Sequence, residues 1–232
     1  MKYVIANWKM NMDPKDISAW VGPFSKKYKD IRNDWKRRRI IEERWPKVIL
    51  CPSTIYVPAM SDITQKIGVE IGVQDVSPFE RGAHTGEVGA FQIKNFCRHA
   101  IVGHSERQEG TVVAARKRDM CLGERITPIV CFTNPSDLLN LYKEGSIMAW
   151  EDPQNISVNG VYRAEDPSNI SAIAKEIRKI VPHHIPLIYG GSVNERNALS
   201  ISRISDIDGV LVGNASLDSD IFASIIRYYV QD

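Results

Sequence analysis

The chain has 232 residues, 43% of them apolar, and a formal net charge of +2 at pH 7. This composition supplies enough apolar side chains for a packed core and excludes an intrinsically disordered protein. The nearly balanced charge gives no reason to expect a nucleic acid or an anionic membrane as a partner.

Short apolar runs recur along the chain, and each is followed by polar or glycine residues and then by a longer amphipathic stretch. The eight runs are Tyr3–Ala6, Val48–Cys51, Val69–Val73, His99–Val102, Thr127–Val130, Ile147–Trp150, Ile185–Tyr189 and Gly209–Val212. Apolar runs without strict alternation are typical of strands that are buried on both faces, as in parallel sheets.

Helix signals lie between these runs. Asp166 followed by Pro167 predicts a helix start, and Asp218 or Ser219 predicts the start of the last helix. Alternating strands and helices indicate right-handed parallel crossovers. Eight such units favour a closed barrel, although the pattern alone also allows an open sheet. We expect an α/β fold with one (β/α)8 barrel domain over residues 1–232.

A basic cluster lies between the first two runs, at residues 35–39, and acidic Glu42 and Glu43 follow it closely. The cluster is compatible with a nucleic-acid-binding arm, but the neighbouring acids offset its charge. We therefore favour a solvated helix face.

Polar residues follow five of the runs, at the strand ends where barrel enzymes build their sites. They are Asn7 and Lys9 after the first run, His104 after the fourth, Glu151 after the sixth, Ser192 after the seventh, and Gly213 and Asn214 after the eighth. Each alone has an ordinary structural interpretation, as a turn cap, a scaffolding histidine or a tight turn. Their joint occurrence favours a functional site, because closure of a barrel would bring them together.

Five segments, in order along almost the whole chain, resemble the signature segments of the triosephosphate isomerase family. They are Asn7–Asn11, Gly82–Glu87, Gly103–Arg107, Tyr189–Val193 and Leu211–Leu217. The resemblance implies an aldose–ketose isomerase that interconverts glyceraldehyde 3-phosphate and dihydroxyacetone phosphate in glycolysis and gluconeogenesis. The reaction moves a proton between neighbouring carbons through an enediol or enediolate, so it requires a base and an electrophile.

The same resemblance assigns roles to the residues that match. Glu151 would be the base and His104 a neutral electrophile, a pairing for which this family is itself a known example. His104 precedes a plausible first helical turn, which would disfavour an imidazolium. Lys9 would supply positive charge and Asn7 would position the substrate. Glu106 would form an ion pair with Lys9 or with a nearby arginine.

The phosphate would bind over the last two strands, at backbone N–H groups of Ser192, Gly213 and Asn214 that begin helices. The family's lid would follow the base, with Ser157 at the phosphate-binding position. The lid departs from the family pattern, because the chain lacks its paired glycines between Asp152 and Gly160. Loss of glycine restricts the backbone at a hinge.

The resemblance also predicts a homodimer formed through the loop around Thr85. Only 17 residues separate Phe132 from Trp150, and short helices at this position accompany tetramers in archaeal relatives, so a tetramer is an alternative. The chemistry calls for no metal and no organic cofactor.

Localisation follows from what the sequence lacks. The apolar stretch after Lys2 ends at Asn7, which is too short for a signal peptide, and no apolar run reaches the roughly 18 residues of a membrane helix. The widely spaced cysteines, Cys51, Cys97, Cys121 and Cys131, suit a reducing compartment. We expect a cytoplasmic protein.

The sequence is also compatible with two other functions. A barrel relative could bind triose phosphate without isomerising it, although the joint presence of Lys9, His104 and Glu151 argues against this. Alternatively, an altered lid would let the intermediate eliminate phosphate to give methylglyoxal.

Overall fold

The computed structural model describes residues 1–152 and 166–231, and these form a closed barrel of eight parallel strands. The strands are β1 (Tyr3–Asn7), β2 (Lys47–Cys51), β3 (Glu70–Val73), β4 (His99–Val102), β5 (Thr127–Phe132), β6 (Ile147–Trp150), β7 (Leu187–Tyr189) and β8 (Gly209–Val212). The predicted barrel is confirmed, and the strands coincide with the predicted runs to within two residues at each end.

Helices alternate with the strands over the described residues. They are α1 (Pro14–Arg37), α2 (Val57–Ile67), α3 (Ala90–Ile93), α4 (Gly110–Gly123), α5 (Leu138–Leu141), α6 (Pro167–Arg178), α7 (Ala198–Ser202) and α8 (Ser219–Arg227). The predicted cap of α6 is confirmed, since Asp166 accepts a hydrogen bond from Ser168 N at 2.9 Å. For α8 the cap is Asp218, which accepts hydrogen bonds from two backbone N–H groups of the first turn.

The core has two layers because each strand buries both of its faces. Side chains inside the barrel form one layer: Ile5, Ile49, Cys51, Ile101, Ile129, Cys131, Ile147, Ala149, Ile188 and Leu211. The alternate strand residues face the helices and form the larger outer layer, in which Val4, Val48 and Val210 are buried. Burial on both faces explains why the strands read as continuous apolar runs in the sequence.

The ring closes where β1 pairs with β8, with Tyr3 opposite Gly209. A Cβ atom on Gly209 would lie 2.0 Å from the carbonyl oxygen of Tyr3. A side chain at this position would therefore push the first and last strands apart, so closure here requires glycine.

The basic cluster lies at the end of α1. Trp35 is buried against Trp45, with ring centroids 5.4 Å apart, whereas residues 36–39 are exposed. This confirms the prediction of a solvated face. Within the part of the chain that the structure describes, no helix has the length and apolarity that crossing a membrane requires.

Candidate active site

A cavity of about 320 Å³ opens at the C-terminal ends of the strands. The cavity is lined by each of the predicted site residues that lies within the described ranges: Asn7, Lys9, His104, Glu151, Ser192, Gly213 and Asn214. Ser157 and residues 153–160 of the expected lid lie outside the described residues. Closure of the barrel thus brings together side chains that are up to 207 positions apart in the chain, from Asn7 to Asn214.

Glu151 follows β6 and is only 2% exposed. Its carboxylate accepts two hydrogen bonds from Ser105, one from the backbone N at 2.8 Å and one from the side-chain Oγ at 3.0 Å. A Cβ atom on Gly190 would lie 3.2 Å from Glu151 Cγ. The absence of a side chain at residue 190 therefore leaves room beside the carboxylate.

His104 connects Glu151 to the rest of the site. Its Nε2 lies 3.1 Å from Glu151 Oε1, and its Nδ1 accepts a hydrogen bond from Glu106 N at 3.2 Å. An imidazolium has no acceptor nitrogen. This hydrogen bond therefore assigns a neutral ring with its proton on Nε2, pointing to the carboxylate.

The helical turn predicted after His104 is a short 3₁₀ helix, Ser105–Arg107, with His104 as its N-cap. The turn directs the Glu106 N–H at the ring of His104 and the Ser105 N–H at Glu151. One turn thus orients both the candidate electrophile and the candidate base.

Lys9 lies just after β1 in a left-handed conformation, with φ of 49°. This conformation costs about 1 kcal/mol for a residue other than glycine. Asn7 Oδ1 accepts a hydrogen bond from Lys9 N at 3.1 Å. Lys9 Nζ lies 2.6 Å from Glu106 Oε1, so the predicted ion-pair partner of Glu106 is Lys9.

The predicted phosphate-binding residues line the same cavity as the base. Gly213 immediately precedes a 3₁₀ helix, Asn214–Leu217. A Cβ atom on Gly213 would lie 3.5 Å from Lys9 Cε, which places this backbone close to a positive charge. The prediction of a helix start at Ser192 is wrong, because the next helix along the chain, α7, begins only at Ala198. Ser192 is instead in a loop that Asn197 closes by donating to its carbonyl oxygen at 2.7 Å.

A buried ion cluster next to the site was not predicted from the sequence. Lys117 of α4 is 3% exposed and its Nζ lies 2.7 Å from Asp75 Oδ1 and 2.5 Å from Glu109 Oε2. The other oxygen of Glu109 accepts a hydrogen bond from Gly103 N at 3.1 Å. The cluster therefore holds the backbone directly before His104.

Cys131 belongs to the inner core layer beneath Glu151. Burial raises the pKa of its thiol well above the usual value, and the negative charge of Glu151 raises it further. The thiol is therefore uncharged at neutral pH and serves as a small packing residue.

Comparison with known proteins gives consistent matches. The family model described as triosephosphate isomerase matches residues 2–229. Similar curated proteins include the triosephosphate isomerases of Thermus thermophilus, 28% identical over 97% of both chains, and of Polynucleobacter asymbioticus, 31% identical over 97% of this chain and 98% of the relative. A similar solved structure is the triosephosphate isomerase of Bartonella henselae, which has a TM-score of 0.79 at 20% identity and 99% coverage of each chain.

Proposed function

Because this chain belongs to the triosephosphate isomerase family, we propose that it interconverts D-glyceraldehyde 3-phosphate and dihydroxyacetone phosphate through an enediol or enediolate. The observation that carries the proposal is the geometry of His104 and Glu151, whose side chains lie 3.1 Å apart in one cavity with Lys9. We also propose that it does so as one domain over residues 1–232, in the cytoplasm, in glycolysis and gluconeogenesis.

Glu151 is the proposed base. It removes a proton from the substrate carbon next to the carbonyl and returns it to the neighbouring carbon. In this structure its oxygens accept two hydrogen bonds from Ser105, and Oε1 lies 3.1 Å from His104 Nε2. Reaching a substrate requires the carboxylate to exchange these bonds for contacts in the cavity, and the missing side chain of Gly190 leaves space for that movement.

His104 and Lys9 stabilise the charge that develops on oxygen. The neutral ring of His104 carries its proton on Nε2 and donates it as a hydrogen bond to the carbonyl oxygen. The ammonium of Lys9 attracts the anionic substrate and the developing enediolate. Asn7 supports this by accepting the Lys9 backbone N–H.

Ser192, Gly213 and Asn214 are the proposed phosphate ligands, and Ser157 would contact the phosphate from the lid. Support comes from the shared cavity and from the position of Gly213, whose backbone approaches Lys9 without a side chain between them. Backbone N–H groups without bulky side chains suit an anion that must come close.

A homodimer through the loop around Thr85 is part of the proposal, and a tetramer is its alternative. Residues 79–87 are all exposed, and the loop includes the ring of Phe79, stacked on His84 with centroids 4.3 Å apart. Exposed aromatic side chains are enriched at protein interfaces. The molecular mass from light scattering distinguishes monomer, dimer and tetramer.

A coupled assay with purified protein tests the activity. Wild type should convert glyceraldehyde 3-phosphate to dihydroxyacetone phosphate, and Glu151→Gln should lower kcat by about 10²–10⁴-fold because the amide cannot accept the proton. The matched control is Glu144→Gln, at an exposed glutamate paired with His184, which should leave the rate unchanged. Absence of activity in wild type at high enzyme concentration would sink the proposal.

The two alternatives are decided in the same experiment. Methylglyoxal formed faster than dihydroxyacetone phosphate would identify an eliminating enzyme.

Competitive inhibition by inorganic phosphate tests the phosphate site. Gly213→Leu should weaken this inhibition, whereas Gly22→Leu on the exposed face of α1 should not. Phosphate binding without turnover would indicate a non-catalytic binder.

A further inference from the structure

The end of β3 supplies none of the proposed catalytic residues, yet it reaches the site through Gln74. This residue directly follows β3 and is half-buried. Its amide Nε2 donates two hydrogen bonds, one to the carbonyl oxygen of Lys9 and one to that of Cys51, each at 2.9 Å. A single amide therefore joins the loop after β1 to the end of β2.

The backbone at Lys9 requires such support because its φ of 49° lies in the left-handed region. Asn7 accepts the hydrogen bond from its N–H, and Gln74 donates to its carbonyl oxygen. The Ser53 hydroxyl lies farther from the same oxygen, at 3.4 Å. The backbone N–H and carbonyl oxygen of Lys9 are thus both hydrogen-bonded to side chains, one at the end of β1 and one just after β3.

The second bond of Gln74 ties this arrangement to the barrel. The Cys51 carbonyl oxygen that it contacts also accepts the N–H of Trp8, at 3.2 Å. The position of the Lys9 backbone is therefore fixed relative to β2. Two donors on one side-chain atom are required for this geometry, and among side chains of this shape only the amide provides them, since glutamate offers acceptors alone.

We propose that Gln74 is a positioning residue for the isomerisation, and that it acts by holding the strained Lys9 backbone so that the ammonium group points into the cavity. The proposal rests on the proposed function for its effect on turnover. Gln74 does not line the cavity, so its proposed role requires no contact with the substrate.

Gln74→Leu removes both donors at nearly constant volume, and Gln74→Glu places acceptors against two carbonyl oxygens. Both should lower kcat/KM for glyceraldehyde 3-phosphate by about tenfold or more, by reducing kcat as well as raising KM, because a displaced ammonium stabilises substrate and transition state less. The same variants should weaken binding of inorganic phosphate in calorimetry. The matched control is Gln65→Leu, an exposed glutamine of α2, which should change neither quantity.

A double-mutant cycle with Lys9→Ala separates positioning from general support of the fold. Alanine keeps the left-handed backbone strain but removes the ammonium. If Gln74 acts through Lys9, adding Gln74→Leu to Lys9→Ala should change kcat/KM and phosphate affinity by less than about twofold. A further loss equal to that in the wild-type background would overturn the inference, as would unchanged constants in both single Gln74 variants.

The two proposals fail in different ways. If wild type does not isomerise triose phosphate, the proposed function fails, and the cycle measured on phosphate affinity still decides the role of Gln74. If wild type isomerises and the cycle is additive, only the inference about Gln74 fails. Should Gln74→Leu not fold, Gln74→Glu carries the same cycle.

Discussion

Two ion clusters lie on the same rim of the barrel and differ in their access to water. In the first, Lys9 and Glu106 pair at 2.6 Å with side chains that are 28% and 51% exposed. In the second, Lys117 pairs with Asp75 and Glu109, and the side chains of Lys117 and Glu109 are only 4% and 11% exposed. The bond lengths are similar, but the surroundings are not.

The difference in exposure indicates which of the two lysines can exchange its carboxylate partner for an anionic substrate. An exposed pair is screened by water and contributes little to stability, so Lys9 can exchange Glu106 for an anionic substrate at a small cost in free energy. If Lys117 left its partners, the buried carboxylate of Glu109 would keep only Arg107, whose Nε lies 4.0 Å away, so this exchange would be costly. The exposed pair of Lys9 and Glu106 is suited to binding an anion, whereas the buried cluster of Lys117, Asp75 and Glu109 holds the backbone before His104 in place.

The largest expected effect is on the buried cluster. Lys117→Met keeps the length of the side chain but leaves Glu109 with only Arg107, whose Nε lies 4.0 Å away, and we expect the free energy of unfolding to fall by about 3 kcal/mol. Urea denaturation followed by circular dichroism measures this loss. Asp75 retains Arg107 at 2.9 Å, which is why the protein should still fold.

A control for Lys117→Met is Lys143→Met, at a lysine that pairs with Asp119 on the surface, where the side chains are 50% and 41% exposed. This change should alter stability by no more than about 0.5 kcal/mol. Equal losses in the two variants would show that burial does not distinguish them.

Loss of the exposed ion pair between Lys9 and Glu106 should lower the free energy of unfolding by less than loss of the buried cluster. Glu106→Gln removes the partner of Lys9 and should lower the free energy of unfolding by under about 1 kcal/mol, because both side chains contact water. The same urea titration tests it. A loss comparable to that of Lys117→Met would remove the contrast between the two clusters.

The smallest expected signal is a pH dependence at Asp75. Burial raises the pKa of this carboxyl above 3.8, although Lys117 and Arg107 oppose the shift. A raised pKa stabilises the fold below the unfolded value, and this contribution is lost as the pH rises through the folded value. Asp75→Asn does not titrate, so its stability relative to wild type should increase as the pH rises from 3.8. Urea midpoints of both proteins across this range measure the difference, and a relative decrease would reverse the sign that burial implies.

The strands could be predicted from sequence because burial on both faces leaves a plain apolar signal. The largest deviations are at β7 and β5. The predicted run began at Ile185, but β7 begins at Leu187, since Ile185 N bonds Pro182 O in a turn. Pro186 has no N–H, and only its carbonyl joins the sheet, by accepting from Met148 N at 2.8 Å.

The positions of the candidate site residues could be predicted because they directly follow strands, where closure brings them together. Their supports could not. Ser105 contacts Glu151 across β5, and Gln74 contacts Lys9 across β2, so both contacts depend on the register of the strands. Lys117 reads as an ordinary surface lysine of a helix, and its burial depends on which side of α4 packs against the barrel.

The pairing of β1 with β8 has a consequence for synthesis. β1 leaves the ribosome before β8 and lacks one of its two neighbours until β8, which ends at Val212, has also emerged. Until then β1 and β7 have unpaired edges, which are open to association with other nascent chains. Asn7 and Lys9 lie at the end of β1 and Gly213 follows β8, so the candidate catalytic and phosphate-binding groups meet only after Gly213 has emerged. Truncation before β8 would therefore release a chain that has both an exposed edge and half a site.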